Sequence, residues 1–467
     1  MRDRIPLLSG QSTHKHAKIK DEQTINWRPK VETPDALSQI TLQYVGGLTK
    51  VTTVGTGPGR ANMVRWGGAL YGISGNEFFK MTAGETVTSI GTLNTSSGWC
   101  TIKAGRTYIA IVDGTNGYTY DGTTFAQITD VDFQNGATHI SYLDGYFIVN
   151  SPNSDQFYIS ASEDPTTWSA LDFASAEANP DNILALDATE KDLYLFGSET
   201  VQIFYNSGNA TFPFDPYPNT LEYGIEAKYS LARSESGFYF LAIAPTGALT
   251  IAGLTGFTIR PIIDDDEAAT INALTTTTDA IGAVYSADGV EYYNITFPSE
   301  DLTFEVNLKT GMMNRLKSYG IGRSIRIGYG SLGTSRYVMD YNNAKLYKLD
   351  FSVYTEDGGV IERYRRAQVI HKSGLRIQYN EIWLEIVSGV GNATNNAPIM
   401  QLRYSDDGGN NWSSWLDQSM GAVGEYYQKL VWRKLGESRG RTFEFRCTDP
   451  NEATIIDAYA DVEVLKV

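Results

Sequence analysis

The residues with the most specific spacing lie near the C-terminus. Ser405-Asp406-Asp407-Gly408-Gly409-Asn410-Asn411-Trp412 fits the pattern Ser-x-Asp-x-Gly-x-x-Trp, the Asp-box. Its chemistry is that of a turn. Asp407 accepts backbone N–H groups inside a hairpin, Gly409 takes a positive φ, and Trp412 packs beneath the turn, with Ser405 opening the motif. A weaker copy, Ser162-Glu163-Asp164-Pro165-Thr166-Thr167-Trp168, lacks the glycine. The densest basic stretch follows at 432–441 and holds Arg433, Lys434, Arg439 and Arg441. It reads as a contact with DNA or with an acidic neighbouring subunit, or more plainly as a charged hairpin loop. On a net-acidic chain a protein interface is the better fit.

Asp-boxes occur in sialidases, so a glycan-binding or sialidase-like protein is the rival reading. A hydrolase of that type needs arginines clamping a carboxylate and a paired nucleophile. Arg260, Arg323 and Arg326 are available, but nothing in the sequence forces them together. Asp264-Asp265-Asp266-Glu267 offers hard oxygen ligands for a cation such as calcium. It lacks the alternating spacing and turn glycine of a calcium loop, and a solvated acidic loop is the plainer expectation. Cys100 and Cys447 have no CxxC partner, and the four histidines do not complete a metal spacing. No phosphate-cradling glycine loop and no nucleophile elbow is present. The expectation is a chain with no cofactor, no metal and no catalytic residue.

Bulk composition narrows the class. The 467 residues allow two or three domains. Gly 45 and Tyr 29 are high while charged residues make up only 20%. Tyr, Thr, Val and Ile suit half-buried pleated surfaces and Gly supplies turns, which points to an all-β fold. The formal net charge of -16 repels DNA phosphates, which argues against a sequence-reading DNA binder. Two distant cysteines form no disulfide framework and suit a reducing compartment. Residues 1–20 show no apolar signal segment, and no apolar run is long enough to span a bilayer.

These groups must be positioned by strands. From about residue 60 a short strand motif recurs, often followed by a Gly/Asn/Asp/Ser turn and a second aromatic strand. The seven copies centre on Leu70–Ser74, Thr107–Val112, Gly145–Asn150, Asp192–Gly197, Gly237–Leu241, Glu291–Ile295 and Arg336–Asp340. Their spacing, about 38 to 53 residues, matches one four-stranded propeller blade, so about six or seven blades are predicted. A stacked solenoid or a pair of sandwiches is the competing architecture. Past residue 350 the spacing is lost. Longer alternating strands appear at 368–371, 381–387, 401–404, 441–446 and 458–464, as in an antiparallel sandwich with one wet side per sheet. No convincing helix is predicted, although 270–279 suits a short turn or helix. Residues 1–58 read as an extended arm. They are basic over Arg2, Arg4, Lys15, Lys18 and Lys20, contain His14 and His16, and are interrupted by Pro29 and Pro34. Ile5, Pro6, Leu7, Leu8 and Trp27 are apolar groups there that need cover. The predicted division is 1–58 arm, 59–350 propeller and 351–467 C-terminal β-domain.

Along most of its length from residue 60 the chain resembles the packaged-DNA-stabilisation family of short-tailed bacteriophages. The resemblance rests on Tyr404–Gly409, Gly424–Tyr426, Val431–Gly436, Phe443–Arg446 and Thr448–Pro450. Leu143–Phe147, Trp168–Ala174, Leu195–Thr200 and Glu222–Ile225 extend it upstream. It implies a non-enzymatic tail hub, or nozzle, assembled in the bacterial cytoplasm into the virion tail. Such a hub is a homo-oligomer, a hexamer, docked on the portal-adaptor ring. It extends the DNA channel, retains packaged double-stranded DNA without reading its sequence, and offers surfaces for a tailspike or tail fibre and for a needle or plug. A generic protein-binding propeller is a third possibility, marked by one exposed apolar face.

Overall fold

The computed structural model describes residues 2–4, 7–13, 21–176, 181–392 and 395–465. Lys15, Lys18, Lys20, His14, His16, Ile5 and Pro6 lie outside the described residues.

The chain forms a β-propeller and a C-terminal β-sandwich. Seven small antiparallel sheets follow one another. The first runs from Val64–Trp66 to Val87–Thr92, the second from Thr101–Ala104 to Phe125–Gln127, and the third from Ile140–Leu143 to Asp164–Ser175. The fourth runs from Ile183–Ala188 to Phe214–Leu221, the fifth from Gly224–Ile225 to Thr258–Pro261, and the sixth from Ile281–Ala287 to Met313–Arg315. The seventh takes Arg326–Leu332, Ser335–Asp340 and Lys345–Asp350, and its outer strand is Gly47–Thr53 from near the N-terminus. Each recurring motif of the sequence is the second strand of its sheet. Asp144 and Gly145, both at positive φ, turn the hairpin of the third sheet, a conformation that Gly and Asp tolerate best.

Seven apolar seams close these sheets into a ring. Phe78 and Ile111 share the seam between blades one and two, and Val112 with Phe147 that between two and three. Ile148 with Leu195, Phe196 with Phe240, and Leu241 with Ile295 carry the next three. Tyr285 with Val338 joins six to seven. The circuit is completed where Leu70, Phe79 and Met81 of blade one meet Tyr337, Met339 and Leu346 of blade seven. Each sheet thus buries both faces against its neighbours, which one small sheet cannot do alone.

The sandwich is built from two sheets over one core. One holds Trp27–Val31, Ile40–Tyr44, Ile455–Leu465, Arg376–Ile386 and Leu430–Arg433 in that order. Pro29 sits in the first of these, opposite Leu42, where sequence suggested a break. That strand is at the sheet edge, where a missing N–H costs no ladder bond. The other sheet is continuous with the propeller. From the outer strand of blade six, Met313–Arg315, pairing passes to Asp21–Ile25, then Arg363–Arg366, Gly440–Cys447, Ile399–Ser405 and Leu416–Ser419. Leu7, Leu8 and Trp27 are buried in the sandwich core with Ile382, Leu402, Phe443 and Phe445. The N-terminal segment is therefore woven into both units: Asp21–Ile25 bridges them and Gly47–Thr53 completes the ring.

Candidate functional site at the junction of propeller and sandwich

The Asp-box forms the turn its residues call for. Asp407 Oδ1 accepts the Asn411 N–H at 2.8 Å and the Ser405 hydroxyl at 2.8 Å. Ser405 Oγ accepts the Gly409 N–H at 2.9 Å, Gly409 holds φ +92°, and Trp412 Nε1 donates to Gly409 O at 3.0 Å. The Asn411 hydrogen bonds, with Ser405, bring the Asp407 carboxyl down to about 2. Its hydrogen bonds all serve the turn itself. The weaker copy builds a related turn: Asp164 accepts the Thr166 N–H at 2.9 Å and Trp168 Nε1 donates to Pro165 O at 2.8 Å. Trp412 lies on the sandwich beside arginines, with Arg403 4.7 Å and Arg366 5.3 Å from its ring centre.

The basic stretch divides. Arg441 is only 2% exposed. Its guanidinium lies 4.0 Å from the Tyr404 ring centre and 4.6 Å from that of Tyr379, and it grips Asp406 at 2.6 and 2.8 Å. That forked pair holds the Asp-box against the sheet and removes Arg441 from any outer contact. Arg433 pairs with Glu381 at 2.8 Å while remaining largely exposed, and Arg439 donates to Gly374 O. Lys434 occupies a turn at φ +57°. These three alone are available to a neighbour.

The acidic run is the start of a helix, not the loop expected. Asp264 caps Asp265–Asn272, accepting the Glu267 N–H at 2.7 Å while Glu267 Oε2 accepts the Asp264 N–H at 3.1 Å. This reciprocal cap satisfies two helix-end donors, and the acidic side chains suit the positive end of the helix. Glu267 Oε1 also accepts the Met313 N–H at 3.0 Å. No cluster of metal-ligating side chains occurs among the described residues. Arg260 lies on the outer strand of blade five, Arg323 stacks 3.7 Å from the Tyr341 ring centre, and Arg326 is buried with Nη2 on Gly46 O at 2.6 Å. These placements do not make a carboxylate clamp. Cys100 and Cys447 are both buried and unbridged, the first in the seam of blades one and two and the second in the sandwich core.

The feature that sequence reasoning missed is a set of buried ion pairs, one where the two units meet and the others in the sheet that continues from there into the sandwich. Arg28, on the sandwich edge strand, reaches Glu305 of blade six at 2.7 and 3.1 Å and the Tyr285 hydroxyl at 2.5 Å, and Tyr285 donates in turn to Glu305. Burial pushes the Glu305 carboxyl up, but the charge and hydrogen bonds of Arg28 outweigh it and hold it below the usual carboxylate range. Arg365 pairs with Glu22 at 2.5 Å and donates to Leu7 O and Gly10 O. Glu444 is shared by Arg366, at 2.8 Å, Arg403 and Tyr364. The partners are separated by up to hundreds of residues, and no local pattern announces them.

A family profile described as bacteriophage P22 Gp10, beta-propeller, matches residues 3–319, and one described as bacteriophage P22 Gp10, beta-sandwich, matches 362–463. The chain belongs to the bacteriophage P22 Gp10 family. It is a phage structural tail protein that works within a virion assembly with other phage proteins. Both partners of the junction pair in this Gp10-family chain, Arg28 and Glu305, fall inside the first matched segment, and Arg365 and Glu444 of the adjoining sheet in the second. Among curated proteins no relative matches. Among solved structures, the N-terminal domain of Nup159 is 11% identical over 69% of this chain and 98% of its own, with a TM-score of 0.40. Virginiamycin B lyase from Staphylococcus aureus, catalytically inactive and with quinupristin, is 11% identical over 65% and 98%, with a TM-score of 0.43. Neither likeness bears on what this Gp10-family chain does. No helix among its described residues is long and apolar enough to cross a membrane.

Proposed function

We propose that this chain is a non-enzymatic tail-hub subunit that closes into a six-fold ring under the portal-adaptor ring, extends the DNA channel and helps retain packaged DNA. The observation that carries this reading, beside the family, is the single sheet running from blade six into the sandwich. A hub under internal pressure must transmit load without hinging, and a hydrogen-bonded sheet across the domain boundary does so better than a linker. The conduit would lie between copies, since the propeller axis encloses only about 360 Å³. A net charge of -16 would let DNA slide past without adhering.

A closed ring of identical subunits needs two different patches meeting head to tail. Two exposed apolar spots lie on different units: Val131 and Leu171, 93% and 85% exposed, at blade three, and Val423, Tyr426 and Tyr427 on a sandwich loop, with Tyr427 97% exposed. Arg433, Lys434 and Arg439 add a charged rim on the sandwich. The remaining outer surface would serve a tailspike or fibre and a needle or plug, with assembly in the bacterial cytoplasm. Negative-stain imaging of the chain mixed with its adaptor tests this. Six-fold rings are expected, and Tyr426→Ser with Tyr427→Ser should reduce their number. Monomers alone in the presence of adaptor would overturn the proposal.

A further inference from the structure

The axial cavity of the propeller has a charge opposite to that of the whole chain. Its wall is formed largely by the inner strands of the blades and includes Arg65, Lys103 and Arg233, with Arg336 from the second strand of blade seven, against a single carboxylate, Asp187. The register places these cations together. Arg65 pairs across to Leu70, Lys103 to Ala110 and Arg233 to Phe238, each within a few residues of the hairpin that ends its inner strand. Arg336 stands opposite Ser331 at the same hairpin end of blade seven. Because each blade starts at the axis and repeats the same strand order, these ends share one mouth. The hairpin tips beyond carry both signs, Arg106 and Lys191 with Asp144, Glu190, Glu235 and Asp288, and add no net positive charge.

Asp187 is already committed. It binds Lys103 at 2.6 Å and accepts the Ser141 hydroxyl at 2.8 Å. Arg233 donates to a neutral carbonyl, Ala188 O at 2.7 Å, and Arg336 to Ser286 O and, at 3.4 Å, Thr334 O. Among the described residues Arg65 has no ion pair. Three guanidinium groups therefore border the solvent-open mouth without a carboxylate partner, Arg65 and Arg233 exposed and Arg336 half-buried 5.7 Å from the Phe351 ring centre, on a chain of net negative charge. Like charges so gathered are costly unless an anion joins them, and guanidinium forks match carboxylate and phosphate oxygens.

We propose that this mouth is an oxyanion site, taking a carboxylate or phosphate group between Arg65, Arg233 and Arg336 with Lys103 beside it. The proposal does not depend on the tail-hub reading. Titration calorimetry of the full chain at low salt, with inorganic phosphate in one arm and an acetylated triglutamate peptide in the other, tests it. Saturable binding of one equivalent is expected. Phosphate alone binding would indicate a free ion as the source, whereas tighter peptide binding would indicate acidic side chains of a protein partner. Arg233→Gln combined with Arg336→Gln should weaken binding at least tenfold, while Arg433→Gln on the sandwich should not change it. Circular dichroism checks that the double variant is folded; if it is not, Arg65→Gln alone should carry a measurable loss. Absence of binding in both arms, or binding indifferent to the mouth substitutions, would overturn the site.

Discussion

The ring and the junction are held by opposite physics. Between blades, aromatic and aliphatic side chains meet across seven seams, and no single contact is indispensable to specificity. Where propeller meets sandwich, Arg28 grips Glu305, and along the sheet that continues from there Arg365 pairs with Glu22 and Glu444 with Arg366 and Arg403, with Arg28, Glu305, Arg365 and Glu444 all nearly or wholly buried. Apolar seams tolerate repacking at modest cost. A buried ion pair adds little net stability over an apolar pair, yet is severely damaged when one partner is lost. The ring is thus built for tolerance and the junction for a single geometry.

The largest effect expected is on the ring itself. A chain beginning at residue 59 lacks Gly47–Thr53, so blade seven loses its outer strand and exposes Lys345–Asp350 along its length, and the same cut removes the bridging strand Asp21–Ile25 and the sandwich strands Trp27–Val31 and Ile40–Tyr44. Such a chain should fail to give a cooperative unfolding transition or native near-ultraviolet dichroism. A native-like ring from the shortened chain would show closure to be dispensable. Next comes the junction. Arg28→Ala should destabilise by about 3–5 kcal/mol by leaving Glu305 buried and unpaired, measured by denaturant unfolding. The double change Arg28→Met with Glu305→Leu should cost less than either single change. If the costs simply add, the junction behaves like a seam and the contrast fails. Glu305 is held low in the folded state, so its contribution is present above its unfolded value and is lost as pH falls through the folded one. For a seam, Leu346→Ala should cost about 2–5 kcal/mol, with no partner change able to restore it by charge.

A smaller effect separates the axis from both. His139 stacks on Tyr229 with ring centres 5.5 Å apart, and burial, reinforced by Lys228, pushes it down to about 3. It is therefore buried neutral, and the unfolded chain binds the extra proton. Stability should fall as pH drops from about 6.5 towards 3, by about 2 kcal/mol at pH 5. In His139→Gln that share of the fall between pH 7 and 5 should vanish, as read from unfolding midpoints.

Much of the ring was legible because its physics is local and repeated. Gly145–Asn150 and Asp192–Gly197 carry strand, turn and aromatic signals within a few residues, and each copy reinforces the next. The Asp-box was legible for the same reason, since Ser405 to Trp412 contains all its own partners. The acidic run was misjudged because Asp264 and Glu267 satisfy each other, a reciprocal cap that also looks like a cluster of solvated charge. The N-terminal strands were hidden by distance: nothing near Gly47 signals Asp350, and Pro29 reads as a breaker until its strand is known to be an edge. Arg441 looked available because its neighbours are basic, whereas Asp406, which neutralises it, lies in another motif.

The smallest expected effect falls on the Asp-box and limits how far the junction extends. Asp407 is exposed and serves only its own turn, whereas the adjacent Asp406 ties that turn to buried Arg441. Asp407→Asn should therefore loosen residues 405–412 without moving the junction: faster amide exchange at Asn411, increased proteolysis within the loop, and an unfolding midpoint close to that of the parent. Asp406→Asn should cost more, because it strips the charge from the fork that holds Arg441 between Tyr379 and Tyr404. Since the Asp407 carboxyl is held near 2, its share of the turn should persist at every pH above its ordinary range and weaken only as pH falls towards that value. Equal losses from the two substitutions would mean that the turn and the arginine fork act as one unit, and the polar junction would then reach the outer tip of the sandwich.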